Sequence, residues 1–174
     1  MTGKTRFRLG IIAYGSLIDD PGQELAEITE CRIECETPFK VEYARTSRTR
    51  DGAPTLIPVT KGGRSVKAMI LILRDTIDFE KASTILWRRE CGKINSKDVY
   101  VRTGKPTINQ VIIKTITDFM NVEMVLYTSI GRNISKPITT EMLADYSINS
   151  ILSKAGQEKK DGLRYLLAAK KKWN

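Results

Sequence analysis

The sequence predicts an α+β fold: a mixed or partly closed sheet with helices packed beside it. Three observations lead there. Apolar runs of strand length fill the first and middle parts of the chain. A helical period interrupts them once, between Phe79 and Glu90, and returns only from Thr139 or Thr140 onward. The order strands, helix, strands, helices lacks the regular alternation that a doubly wound parallel sheet requires.

The first strand is read at Leu9 to Ala13, an apolar run that stops at Tyr14-Gly15-Ser16. Glycine there can take backbone angles closed to other residues. Asp19-Asp20-Pro21-Gly22 is a turn signal. Extended segments follow at Ile33 to Phe39 and Val41 to Ala44, and Ser47 to Pro54, with Asp51-Gly52 inside it, reads as a hairpin connection to Thr55–Val59. Val66 to Leu73 is almost continuously apolar, which places it centrally with both faces covered. Asp75 or Asp78 caps the next helix, Phe79, Ala82, Leu86 and Glu90 share one of its faces, and Gly92 ends it. Val99–Arg102, Ile108–Ile116 and Val122–Tyr127 complete the strands, with breaks at Gly104-Lys105-Pro106 and Asp118 to Asn121. Met142, Leu143, Tyr146, Ile148 and Ile151-Leu152 suit a helix interrupted at Gly156. Leu163, Leu166, Leu167 and Ala168 suit a last short one. The whole chain, 1–174, reads as one domain with loose ends at 1–7 and 170–174.

Composition removes several classes of function. The chain contains no histidine, so Ser-His-acid and Cys-His machinery are absent. Proton transfer near neutral pH falls to a carboxylate, tyrosine, lysine, cysteine or the substrate itself. Three cysteines, Cys31, Cys35 and Cys91, argue against a disulfide framework and offer too little for a metal site. No apolar run approaches membrane-spanning length, and Leu9–Ala13 is too short for a secretory core; the chain reads as cytoplasmic. The net charge of +9 invites nucleic acid. Its distribution argues otherwise: residues 1–60 carry 8 Lys and Arg against 9 Asp and Glu, while residues 61–120 carry 12 against 6. The remaining excess concentrates at Lys170-Lys171-Lys172, a basic tail whose ordinary role is solvation, and aromatics for base stacking are sparse.

Three groups of residues carry the chemistry. Tyr14, Gly15, Ser16 and Leu17, directly after a strand, can present backbone N–H groups, a phenol and a hydroxyl to a carboxylate or a developing oxyanion; an ordinary turn explains them too. Glu90 ends an apolar helix face, where a pocket opening would partly desolvate it for acid–base work; the alternative is a solvent-facing carboxylate paired with Arg88 or Arg89. Arg45, Arg48 and Arg50 match an acidic substrate in two-point geometry, or coat an exposed hairpin. Tyr100 and Tyr127 are half-buried strand positions that can also line a pocket.

Tyr14-Gly15-Ser16-Leu17 after its short strand resembles the signature of the γ-glutamyl cyclotransferase-like superfamily, which includes the plant AIG2-like proteins. Pro38-Phe39, the Ala44–Val59 segment, the Val66–Leu73 strand, Glu90, Tyr100 ahead of Arg102, and Ala155, Gly162 and Tyr165 follow in the order of that family. The loop departs from some members in continuing Leu17-Ile18 rather than Asn-Leu, and Arg88-Arg89 precedes Glu90. The resemblance implies a small mixed β-barrel flanked by helices, Glu90 as acid/base, and Tyr14 to Leu17 as the γ-glutamyl cradle. It implies release of 5-oxoproline and an amine from a γ-glutamyl amide or dipeptide without metal or cofactor. Arg48, Arg50, Tyr100 and Tyr127 complete the expected substrate contacts. The rival expectations are a non-catalytic small-molecule or regulatory module with the same fold, and an RNA-associated protein.

Overall fold

Five strands hydrogen-bond in the order β2-β5-β1-β7-β6: β1 Phe7–Ala13, β2 Thr29–Glu36, β5 Lys67–Leu73, β6 Ile112–Phe119 and β7 Val122–Ser129. Two more, β3 Lys40–Thr46 and β4 Pro54–Val59, form a separate pair. The computed structural model describes residues 6–48, 50–158 and 163. By its internal contacts the chain divides into two compact units, one of residues 1–37 and 67–130, the other of 38–66 and 131–174. The α+β class holds. The barrel does not: among the described residues the five-stranded sheet is open, with β2 and β6 as its edges.

In the first unit, β1 lies parallel to β7, pairing Ile11 with Leu126, and antiparallel to β5, pairing Ile11 with Leu71. The sheet is therefore mixed. β5 is an interior strand between β2 and β1, as its unbroken apolar sequence requires; Ile70 through Leu73 are all buried. Alternate residues of the strands, Leu9, Ile11, Leu71, Leu73 and Leu126, build one core with two helices, α1 Gln23–Ile28 and α2 Phe79–Glu90. From α1 come Leu25 and Ile28, from α2 Ala82, Ile85 and Leu86. Gly10 is fixed by close approach, since a Cβ there would come within 2.7 Å of Ile70 Cγ2.

The start and stop of α2 follow local chemistry. Asp78 is the N-cap, its carboxylate accepting the Lys81 N–H at 2.7 Å. At the other end Gly92 takes φ +67°, the Lys93 N–H reaches the Arg88 carbonyl at 2.8 Å and the Gly92 N–H the Arg89 carbonyl at 3.4 Å. That bond pair is the Schellman ending a glycine favours. The segment expected as a strand at Val99–Arg102 is irregular instead. The Tyr100 N–H donates to Thr84 Oγ1 on α2 at 3.1 Å rather than to a neighbouring strand, and Val99 and Val101 are exposed. β6 likewise begins later than expected, after a turn at Ile108-Asn109. Phe7 already belongs to β1, its N–H bonded to the Asn121 carbonyl, so the loose start expected at 1–7 does not include it.

The second unit is built on the expected hairpin. The Ser47 N–H reaches the Ala53 carbonyl and the Gly52 N–H the Ser47 carbonyl, both at 2.8 Å, with Asp51 and Gly52 at positive φ. α3, Thr140–Leu152, starts at Thr139, whose hydroxyl accepts the Met142 N–H. Its buried Ser150 donates to the Arg50 carbonyl at 2.9 Å, fastening helix to hairpin. The break after α3 falls at Ser153, and Gly156 lies inside a four-residue helix, α4 Lys154–Gln157. Gly162, Tyr165, Leu166, Leu167, Ala168 and the Lys170–Lys172 run lie outside the described residues. No helix among the described residues is long and apolar enough to cross a membrane.

Candidate functional site

The Tyr14 loop grows from the end of β1. Tyr14 keeps extended angles, φ −138° and ψ 165°, and Gly15–Leu17 then makes a single 3₁₀ turn. Gly15 stands at φ +59°, the left-handed conformation that explains glycine at this position. Leu17 drops into the core, Ser16 is exposed, and Tyr14 and Gly15 are half-buried. The N–H groups of Leu17 and Ile18 are taken up within the turn only weakly, at 3.4 Å from the carbonyls of Tyr14 and Gly15. The chain is then secured by the Asp20 N–H on the Ser16 carbonyl at 3.0 Å.

The last turn of α2 is bound to this segment through arginines. Arg89 donates from Nη2 and Nε to the Asp20 carbonyl at 2.6 and 3.2 Å. Its Nη1 lies 3.4 Å from Glu90 Oε1, and its side chain is 17% exposed. Arg88 pairs with Glu24 of α1 at 3.0 Å, and the second oxygen of Glu24 accepts the Asn95 N–H at 3.1 Å. Glu90 is thus one guanidinium away from the chain that leaves the Tyr14 loop. Its side chain is 29% exposed, at the rim of the apolar face rather than within it. Just beyond, Lys93 stands 2.7 Å from Asp98, which holds the Asp98 carboxyl below its usual range and raises the Lys93 ammonium. Lys93 also sits 5.0 Å over the Trp87 ring.

Tyr100 and Tyr127 come together elsewhere. Both line a cavity of about 630 Å³ between the first turns of α2, the Tyr100–Arg102 segment and strands β6 and β7. Neither the Tyr14 loop nor Glu90 lines it. The Tyr100 phenol oxygen accepts the Ile113 N–H at 3.0 Å, and its ring packs on Trp87. Burial pushes the Tyr127 phenol above its usual range, so it stays protonated. The structure therefore separates two groups expected in one site.

Arg48 and Arg50 belong to the second unit. Arg48 is exposed at the hairpin turn, while Arg50 spans the hairpin to Thr55 Oγ1 at 2.7 Å. Arg45 is buried, donates to the Gly131 carbonyl at 2.7 Å, and has its guanidinium pKa lowered by burial and then by Arg48. Arg45 and Arg50 thus brace their own unit. Among the described residues no three His, Cys, Asp or Glu side chains are grouped to hold a metal ion. Burial, with Glu36 next to it, pushes the Cys35 thiol up to about 11.

Two contributors escaped the sequence reading. Glu24 lies on α1, too short a helix to announce itself, and its pairing with Arg88 is visible only in three dimensions. Ser83 lines the cavity while fully buried. Its spacing, four after Phe79 and three before Leu86, puts it on the apolar face and was the available signal. Comparison with known proteins returns no matching family model, no matching curated protein and no matching solved structure.

Proposed function

We propose that this chain is a γ-glutamyl cyclotransferase-like enzyme acting on a small γ-glutamyl amide or dipeptide in the cytosol. The observation that supports it is the bridge at Arg89, which joins the chain leaving the Tyr14 loop to the helix end bearing Glu90. In this reading the loop Tyr14 to Leu17 holds the glutamyl end so that its free α-amine faces its own γ-carbonyl. Glu90 takes the proton of the attacking amine as the new C–N bond forms, then gives a proton to the departing nitrogen as the amide bond breaks. The products are 5-oxoproline and a free amine. Both reacting groups belong to one molecule, so positioning provides most of the acceleration and no cofactor takes part. Ser16 and the loop N–H groups stabilise the oxyanion.

The test is a panel of γ-glutamyl amines and dipeptides, glutathione included, with 5-oxoproline measured by mass spectrometry. Turnover that falls at least a hundredfold in Glu90→Gln, roughly the contribution of a positioned acid–base group, with folding unchanged, is the expected result. No product across the panel from folded protein rejects the activity. Ligand binding without product, unaffected by Glu90→Gln, identifies a non-catalytic module instead.

A further inference from the structure

The cavity between α2, β6 and β7 has features that no packing role explains. Ser83 is 1% exposed, and among the described residues its hydroxyl is the buried side-chain polar group with no hydrogen-bond partner. A serine inside a helix ordinarily turns its hydroxyl back to the carbonyl four residues earlier, and leaving a buried hydroxyl unpaired is unfavourable. The residue that carries it is one of those lining a cavity. On the same wall the Tyr100 phenol accepts the Ile113 N–H, which leaves its own proton to donate. At the exposed rim stand Arg102 and Lys114, neither ion-paired among the described residues, against one lining carboxylate, Glu80. Phe79 and Met124 add apolar surface to the lining. A concave, partly apolar space of this volume with a few convergent polar groups is the usual form of a small-molecule site.

The geometry points to a second ligand site, independent of Glu90, that takes a small organic carboxylate with an apolar body and a hydrogen-bond acceptor remote from the carboxylate. The carboxylate meets Arg102 and Lys114 at the rim, the body lies against Phe79 and Met124, and the remote acceptor receives the Ser83 hydroxyl. The Tyr127 phenol, protonated through the neutral range, does not repel such an anion.

Three matched probes test this by calorimetry on the full chain: 4-oxo-4-phenylbutanoate, its ketone-free analogue 4-phenylbutanoate, and the uncharged 4-oxo-4-phenylbutanamide. The ketone acid binds best. Removing the ketone weakens binding about fivefold, the share of one hydrogen bond, and replacing the carboxylate by the amide weakens it about tenfold and removes its salt dependence. Ser83→Ala, which loses no hydrogen bond in the folded chain, abolishes the preference for the ketone with the circular dichroism unchanged. Arg102→Gln combined with Lys114→Gln abolishes the preference for the acid over the amide. Glu90→Gln leaves all three affinities unchanged, which separates this site from the proposed reaction. No saturable binding of any probe at millimolar concentration overturns the inference, as does a ketone preference that survives Ser83→Ala or binding that Glu90→Gln removes.

Discussion

Replacing Arg89 by alanine should cost about 2 kcal/mol, and the number can be built from its contacts. The guanidinium gives two hydrogen bonds to one acceptor, the Asp20 carbonyl, at 2.6 and 3.2 Å. A bond from a charged donor is worth roughly 1.5–3 kcal/mol net; because the two share one oxygen and water can reach it, one full bond is the fair count. The ion pair with the Asp20 carboxylate adds little. That group is 81% exposed and 3.8 Å away, and such surface pairs contribute about 0–1 kcal/mol, towards the low end at this distance and exposure. Asp20→Asn should therefore be nearly silent, while Arg89→Lys, lacking the planar fork, should keep about half the effect. Urea denaturation followed by Trp87 fluorescence, with Trp173→Phe in all samples, reads the unit that carries the bridge. For m of about 1–3 kcal/mol per molar, Arg89→Ala moves the midpoint down by about 1 M. If Asp20→Asn destabilises as much as Arg89→Ala, the carboxylate and not the carbonyl holds the loop. A loss below about 0.5 kcal/mol for Arg89→Ala, the range of an ordinary surface change, removes the bridge as a structural link.

Other perturbations follow the same logic. Gly15→Ala places a Cβ at φ +59° and should destabilise by about 1–2 kcal/mol in the same urea assay; an unchanged midpoint would mean that the turn is not held in that conformation. Asp78→Ala removes the cap on Lys81 and should cost about 1 kcal/mol, with Asp78→Asn recovering most of it, read as the urea midpoint. Alkylation mapped by mass spectrometry should label exposed Cys31 at mildly alkaline pH, while Cys35 labels only as the pH approaches 11. For Cys35 the folded form keeps its proton longer than the unfolded chain, so its contribution to stability is complete below about pH 9 and falls as the pH rises towards 11. Equal labelling of both thiols at pH 8.5 would refute that assignment.

Most local structure was legible because its causes are local. The carboxylate at Asp78, one of the two read for that cap, the glycine at Gly92 and the Asp51-Gly52 turn each satisfy or bend the backbone within a few residues, and each has the role expected of it. α1 was not legible: Leu25 and Ile28 alone make too short a period. Nor was the departure of β3 and β4 from the main sheet, since strand pairing is chosen by distant partners. Tyr100 looked like a strand residue because it is aromatic between two valines, yet Thr84 on α2 captures its N–H. In the candidate site, the loop and the order of its residues were readable. The pairing of Glu90 with an arginine was readable as one alternative; the capture of the Asp20 carbonyl by Arg89 was not, and neither was the separation of Tyr100 and Tyr127 from them.

The parallel seam between β1 and β7 also dictates an order of assembly. Phe7 is in register with Val122, although nearly everything else in its unit lies between them along the chain. During synthesis β1 emerges first and β7 much later. Until residues 122–129 arrive, β1 can pair with β5 alone, and the backbone N–H and C=O groups of its other edge, in the apolar stretch Leu9–Ile12, have no partner strand. The β6–β7 hairpin pairs residues adjacent in the chain, whereas the β1–β7 seam pairs residues far apart, so the seam carries the larger loop-closure cost. A nascent chain stalled before residue 122 therefore presents an open apolar edge to other chains, and the burden of avoiding aggregation falls on that interval of translation.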